Sequence, residues 1–209
     1  MDGSTSSLLY LSAVIVGYLL GSIPFGLVII RMAGLGDIRT IGSGNIGATN
    51  VLRTGRKDLA AATFLLDSGK AGLAALIFMF AVSSLNPPIA LLAGASALIG
   101  HCFPIWLGFK GGKGVATYAG LLFAGAWPLG IFAAISWLSI AFLFRRSSLA
   151  ALATAVLVPI VGWALGYTGT EICILLVLTL VVFWRHKENI KRLLDGTEPK
   201  IGGKKSEAK

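Results

Sequence analysis

Charge is scarce in this 209-residue chain: only 13% of its residues are Asp, Glu, Lys or Arg, about half the share of an ordinary soluble domain. With a mean hydropathy of +0.83, too little polar surface remains to cover a water-soluble globule. Intrinsic disorder is excluded on the same ground, because it requires low hydropathy and high charge. Cysteine is scarcer still. Cys102 and Cys173 stand far apart in apolar stretches, so neither a disulfide framework nor a zinc site is expected. His101 beside Cys102 makes two ligands at most, and a buried free thiol is the plainer reading. No metal and no cofactor are expected. Acidic residues number 9 against 18 Lys and Arg, a formal charge of +9. That balance invites a nucleic-acid partner, but the positive residues sit in a few turns between apolar runs, and no nucleic acid is needed to account for them.

What the chain has in abundance is long apolar runs. Leu8 to Ile30 contains no charged residue and, at 1.5 Å per residue, reaches about 34 Å, enough to cross a hydrocarbon core of about 30 Å. No basic segment precedes it, so it reads as a membrane span and not as a cleaved signal. Further spans are expected at Leu59–Val82, Ile89–Phe103, Val115–Trp127, Leu129–Phe144, Leu149–Tyr167 and Ile172–Trp184. They are separated by Asn86-Pro87-Pro88, Trp127-Pro128 and Gly166-Tyr167-Thr168-Gly169, which favour turns. The fold class is therefore an all-α integral membrane protein of seven transmembrane helices. All but one of the Lys and Arg follow spans one, three, five and seven, while the opposite turns hold only Asp2 and Glu171 as charges. Positive residues gather on the cytoplasmic side of short loops, which sets the N-terminus outside and the C-terminus inside. The remaining cation, Lys70, lies inside span two, three residues after Asp67. Residues so spaced share a helix face and can neutralise each other in lipid, a structural pairing, although an ionisable residue in a membrane is also a functional candidate.

Three polar segments lie on the basic side. Gly42-Ser43-Gly44-Asn45-Ile46-Gly47-Ala48-Thr49-Asn50-Val51-Leu52-Arg53 contains a literal G-x-G-x-x-G, but it follows a membrane helix and not a strand, which argues against a dinucleotide site. Its glycines, hydroxyl, carboxamides and Arg53 would suit a phosphate as well as they suit a tight capped turn. His101 to Thr117 carries Lys110-Gly111-Gly112-Lys113-Gly114. It fails as a P-loop, since Leu107 stands where a Gly is needed and Gly114 follows Lys113. A Gly-rich, Lys-bearing turn opening a helix still favours an anion, against the plainer reading of a flexible basic loop. In the third segment, Arg185 to Glu198, a helix continued from span seven would put Arg185, Asn189 and Arg192 at i, i+4 and i+7 with His186 beside Asn189, so one face can carry His, Asn and Arg, although a basic helix there also suits a lipid surface. Residues 199–209 read as a charged, disordered tail following a single domain over 1–198. Together the three segments suggest one site for a phosphate-bearing, partly apolar substrate. No nucleophile elbow or metal motif is present. A transporter of a small phosphate ester remains open, although no internal repeat supports one.

At these residues the chain resembles the bacterial acyl-phosphate:glycerol-3-phosphate acyltransferases of the PlsY type. Segments 42–53, 101–117 and 185–198 match in order, with Thr54-Gly55-Arg56-Lys57 departing slightly after Arg53. The resemblance implies transfer of a fatty acyl group from acyl phosphate to the 1-hydroxyl of glycerol 3-phosphate. The products would be lysophosphatidic acid and phosphate, the first acylation in phospholipid synthesis. It implies seven helices in the bacterial inner membrane, contact with membrane lipid, and a cytoplasmic site; a monomer is compatible with the sequence. Carried over, Ser43, Arg53, Lys113, His186 and Asn189 are the catalytic set. Gly42, Gly44, Asn45, Thr49, Asn50, Gly111, Gly112, Gly114, Thr117, Ser148, Arg192 and Glu198 would bind substrate, with Ser147 a weaker candidate. The Gly111 and Gly112 amides would hold one phosphate beside Lys113. Ser43 would bind and not form an acyl-enzyme, His186 would act as base or hydrogen-bond donor, and a substrate phosphate would accept the hydroxyl proton. An activated donor mainly needs positioning and charge stabilisation.

Overall fold

The computed structural model describes residues 3–81 and 87–202. The Val82 end of the second expected span, Asn86 of the following break, Asp2, Lys204, Lys205 and Lys209 lie outside the described residues. All regular structure among the described residues is helical. The helices are α1 (Gly3–Gly21), α2 (Phe25–Met32), α3 (Ala48–Val51), α4 (Lys57–Ala81), α5 (Pro87–Cys102), α6 (Val115–Gly125), α7 (Trp127–Phe144), α8 (Ser147–Ala164), α9 (Gly169–Arg185) and α10 (Lys187–Leu194).

Among the described residues, apolar helices lie along the expected stretches, but they are unequal. Five are long and apolar enough to cross a membrane alone: Ser6–Met32, Lys57–Ala81, Pro88–Leu107, Trp127–Phe144 and Ser147–Ala164. A sixth arises if α9 and α10 are counted together, with a bend of 65° between them. The fourth segment, α6, has only 11 residues and is about 16 Å long, half the hydrocarbon thickness. Trp127 belongs to α7 and not to α6. Pro128 sits in the first turn of α7, where its missing N–H costs nothing, so the Trp127-Pro128 break separates two helices and does not kink one.

In lipid every backbone group needs a partner within the protein. Pro159 lies inside α8, which frees the Ala155 carbonyl four residues earlier. Thr179 Oγ1 of α9 donates to that carbonyl at 2.6 Å, so the proline fastens α8 to α9. At the start of α9, Thr168 Oγ1 accepts from Glu171 N while Glu171 Oε2 accepts from Thr168 N at 2.8 Å, a reciprocal cap. Small residues let backbones touch. A Cβ on Gly21 of α1 would lie 1.9 Å from the Ala97 carbonyl of α5, and one on Gly120 of α6 would lie 1.9 Å from the Ser68 carbonyl of α4. Large apolar side chains such as Phe142 and Trp163 face outward, as a lipid-facing surface requires.

The expectation of an unbroken helix from the seventh segment is corrected. The chain bends at His186, between α9 and α10. His186 contacts the Val182 carbonyl one turn back with both its backbone N (3.0 Å) and ring Nδ1 (2.7 Å), a side-chain competition known to end or bend helices. The expected tail does not begin cleanly at residue 199 either. Ile201 N donates to the Arg145 carbonyl at 2.6 Å, and Arg145 Nη2 donates to the Ile201 carbonyl at 3.2 Å. The segments after the first, third, fifth and seventh apolar runs converge at one end of the bundle, around one cavity.

Candidate functional site

The cavity is polar and measures about 270 Å³. Twelve of the residues expected at a site line it: Gly42, Ser43, Asn45, Thr49, Asn50, Arg53, Lys113, Ser148, His186, Asn189, Arg192 and Glu198. Val115, Trp137, Ser147 and Pro199 also line it. Three cations, Arg53, Lys113 and Arg192, face a single carboxylate, so the cavity suits an anion carrying more than one negative charge. Helix α8 opens on the cavity at Ser147 and Ser148, with no side chain capping it, and its dipole adds to the same field.

The first loop is organised from inside by Asn50, which is 1% exposed. Its Nδ2 donates to the Ile38 and Ile41 carbonyls at 3.0 and 2.9 Å. Its Oδ1 accepts from Ser43 N (3.0 Å), Ser43 Oγ (3.3 Å) and Arg53 Nη1 (3.3 Å). Asn50 thus spends its carboxamide on the loop and aims Ser43 and Arg53. Gly42 has φ +58°, and a Cβ there would lie 2.5 Å from Asn50 Oδ1, so only glycine admits this arrangement. Gly44, expected to bind substrate, makes the turn instead: its φ is +67° and its N donates to the Ile41 carbonyl.

The second loop departs from expectation. The Gly111 and Gly112 amides donate to the Cys102 and His101 carbonyls at 3.1 and 3.0 Å. These carbonyls are the orphans of the α5 C-terminus, which any helix end must satisfy. The amides are therefore not free for phosphate. From α9, Arg185 Nε and Nη2 donate to the Gly112 and Gly111 carbonyls at 2.9 and 2.6 Å, and its guanidinium stacks over Phe103. Arg185 is thus a clamp on this loop, not a member of the cavity face. Gly114 caps α6 in a left-handed conformation, and Thr117 is fully buried with no hydrogen-bond partner for Oγ1; neither lines the cavity. What the loop delivers is Lys113.

Lys113 Nζ donates to Asn189 Oδ1 at 2.5 Å. Asn189 Nδ2 in turn donates to Glu198 Oε1 at 2.7 Å, as does Ser148 Oγ at 2.6 Å, while Arg192 Nε donates to Glu198 Oε2 at 2.7 Å. Glu198, expected to bind substrate, is instead the hub that orients three cavity residues. Burial raises its pKa, but the hydrogen bonds from Ser148, Asn189 and Arg192 outweigh burial and hold it below the usual carboxylate range. Burial, with Arg192, Arg53 and Arg185 nearby, brings Lys113 down to about 8 against the opposing pull of Glu198. Burial also lowers His186 to about 4, so its ring is neutral at physiological pH. A carbonyl only accepts, so the proton sits on Nδ1 facing the Val182 carbonyl, and Nε2 is an acceptor. His186 is therefore neither a cation nor a donor through Nε2.

A second, apolar groove of about 320 Å³ adjoins the cavity. The two share Asn45, Thr49, Lys113, Val115 and Trp137 as a common wall. Phe64, Phe123, Ala133, Leu138, Ala151 and Val182 line the groove. Trp137, the junction residue, left no trace in sequence reasoning because it sits in an apolar run like any lipid-facing tryptophan. Residues of the shared wall face both the polar cavity and the apolar groove.

Comparison with known proteins gives one consistent result. A family model described as glycerol-3-phosphate acyltransferase matches residues 11–196. The chain is 59% identical to the glycerol-3-phosphate acyltransferase of Maricaulis maris over 97% of its own length and 92% of that protein. It is 59% identical to that of Hyphomonas neptunium, covering 96% of each, and 57% identical to that of Caulobacter vibrioides, covering 92% and 88%. Among solved structures it matches the glycerol 3-phosphate form of PlsY (YgiH), an integral membrane glycerol 3-phosphate acyltransferase. That match has a TM-score of 0.86 and 38% identity, covering 92% of this chain and 96% of that one. The lysophosphatidic acid form of the same protein matches with a TM-score of 0.83.

Proposed function

This chain belongs to the glycerol-3-phosphate acyltransferase family, and from that premise we propose that its polar cavity and apolar groove together transfer an acyl group from acyl phosphate to the 1-hydroxyl of glycerol 3-phosphate. The chain is an acyltransferase that forms lysophosphatidic acid. The observation that carries the site assignment is the shared wall: a cationic cavity sized for phosphates opens onto a groove that suits a fatty chain. The reacting carbonyl belongs where the two meet, beside Lys113 and Trp137.

The chemistry follows from that placement. The acceptor hydroxyl attacks the acyl carbonyl, an ester C–O bond forms, and the anhydride C–O bond to phosphate breaks. Inorganic phosphate leaves and takes up the hydroxyl proton. Arg53 and Ser43, aimed by Asn50, hold one phosphate, while Lys113 and Arg192 hold the other and balance charge as it moves to the leaving oxygen. His186 offers the Nε2 lone pair to orient the attacking hydroxyl. Its pKa of about 4 makes it a weak base at pH 7, which favours the departing phosphate as proton acceptor. Both substrates are held before reaction, and this ordering supplies much of the acceleration.

We further read residues 1–198 as one catalytic domain with seven membrane segments, the N-terminus outside and the cavity on the cytoplasmic side of a bacterial inner membrane. The basic residues of the odd-numbered turns support that orientation. The deciding experiment gives purified, detergent-solubilised protein glycerol 3-phosphate with palmitoyl phosphate or with palmitoyl-CoA, without added metal. Lysophosphatidic acid from the acyl phosphate alone is expected. Product from the thioester alone would refute the donor assignment.

A further inference from the structure

Asp67, Lys70 and His101 form a buried cluster in the membrane segments; Asp67 and His101 also line the apolar groove, but the acyl transfer as described gives none of the three a chemical role. Lys70 Nζ lies 2.9 Å from Asp67 Oδ1, and it donates to the Ile23 carbonyl at 2.8 Å and to His101 Nδ1 at 2.9 Å. Asp67, Lys70 and His101 are at most 5% exposed. An ammonium only donates, so His101 Nδ1 accepts and the neutral ring carries its proton on Nε2. A Cβ built on Gly112 would lie 2.0 Å from that Nε2, so the ring lies against the residue preceding Lys113. The His101 carbonyl also accepts from Gly112 N. On the other side, Ile23 belongs to the break between α1 and α2, and α2 meets the first loop where a Cβ on Gly26 would lie 1.8 Å from the Ile46 carbonyl.

Mutual neutralisation in lipid needs only Asp67 and Lys70, which are neighbours on one helix face. It does not account for the two further partners: the His101 carbonyl accepts from Gly112 N, next to Lys113, and Ile23 leads into α2, which abuts the first loop at Ile46. A single ammonium thus ties the turn that leads into α2, which abuts the first loop, to the histidine that abuts the residue before Lys113. We propose that Asp67, Lys70 and His101 are positioning residues that fix the separation of the two phosphate-binding loops. This inference rests on the acyl-transfer reading above.

The test is steady-state kinetics with glycerol 3-phosphate and palmitoyl phosphate, together with the unfolding midpoint of the solubilised protein. Lys70→Met and Asp67→Asn are combined, because removing one charge alone strands the other. The expected result is a rise in KM for glycerol 3-phosphate of about tenfold or more, since small misplacements of binding groups are costly. An unchanged KM, with any loss confined to kcat and the midpoint, shows a purely structural pair and overturns the proposal. A second pair of variants holds if the first folds poorly. Gly112→Ala drives a methyl into the His101 ring and should lower kcat/KM about thirtyfold by displacing Lys113. Adding His101→Asn, whose shorter side chain keeps an acceptor near the Nδ1 position for Lys70 but vacates the Nε2 position that the methyl strikes, should recover several-fold of that loss. A double variant no better than Gly112→Ala alone overturns the proposal. Wild-type protein that forms no lysophosphatidic acid from either donor defeats the acyl-transfer reading, and this inference with it.

Discussion

The two glycine-rich loops look alike as sequence and behave differently as structure. The first, residues 42–53, is held from within by the Asn50 carboxamide, and it sends Ser43, Asn45, Thr49 and Arg53 into the cavity. The second, residues 108–114, is held from outside, by the carbonyls at the end of α5 and by Arg185, and it sends in Lys113. Glycine density thus reports a need for tight backbone geometry, not the direction in which the amides point. Where a helix ends just before such a loop, its orphan carbonyls compete with any bound anion for those amides. Here the carbonyls hold the amides, and Lys113 is the group this loop turns into the cavity.

That contrast is most exposed to a test at Lys113. If the second loop contributes one group, Lys113→Ala removes its contribution, and kcat/KM should fall by about 10²-fold or more, on the order of 3 kcal/mol. Near-normal turnover in this variant would return the phosphate to the backbone and undo the comparison. For the first loop the corresponding lever is Asn50, which touches no substrate in this reading. Asn50→Ala strands the Ser43 amide, takes one of two donors from each of the Ile38 and Ile41 carbonyls, and should cost about 1–3 kcal/mol of stability. Activity should fall about tenfold or more through misplaced Ser43 and Arg53. An Asn50→Ala protein whose KM for glycerol 3-phosphate is unmoved would show that Ser43 and Arg53 need no such frame.

How much of this was legible beforehand follows the same divide. The membrane class, the apolar segments and the convergence of three polar motifs were readable because hydropathy, prolines and basic residues act locally along the chain. Twelve of the residues expected at a site line one cavity, because the segments that carry them each follow an apolar run at the same end of the bundle. The roles of Glu198, Gly111 and Gly112 were not readable, because each depends on partners brought together only by folding: Ser148, Asn189 and Arg192 for the carboxylate, the end of α5 for the amides. His101 joined the Asp67–Lys70 pair without warning, since it sits 31 residues from Lys70. The bend at His186 was hidden for a related reason. A histidine at a helix end shows its competition with the backbone only once its ring has found the Val182 carbonyl.

The smaller predictions sharpen the contrast through protonation. Lys113 sits at about 8, and in the proposed reading it binds phosphate as the ammonium, the form present below that value. In the free enzyme kcat/KM should therefore fall as pH rises through about 8, approaching tenfold per pH unit beyond it. Bound phosphate stabilises the ammonium, so kcat itself should hold to higher pH. Lys113→Arg should remove the alkaline limb, because a guanidinium stays charged, and a limb that persists in that variant belongs to another group.

His186 gives the smallest effect and the cleanest sign. With its pKa near 4 and Nδ1 committed to Val182, it does not change charge between pH 5 and 8. His186 should thus contribute no limb near 6.5, the ordinary histidine value; a limb there belongs to the second ionisation of glycerol 3-phosphate, at about 6, and should persist unchanged in a His186 variant. His186→Gln retains an acceptor but not the ring, and should lower kcat several-fold at most, below the 10²–10⁴-fold typical of a lost general base. A loss of that larger size, together with an acidic limb that vanishes in the variant, would make His186 the proton acceptor. The departing phosphate would then be only a leaving group, and proton transfer would move from the substrate to the seventh segment.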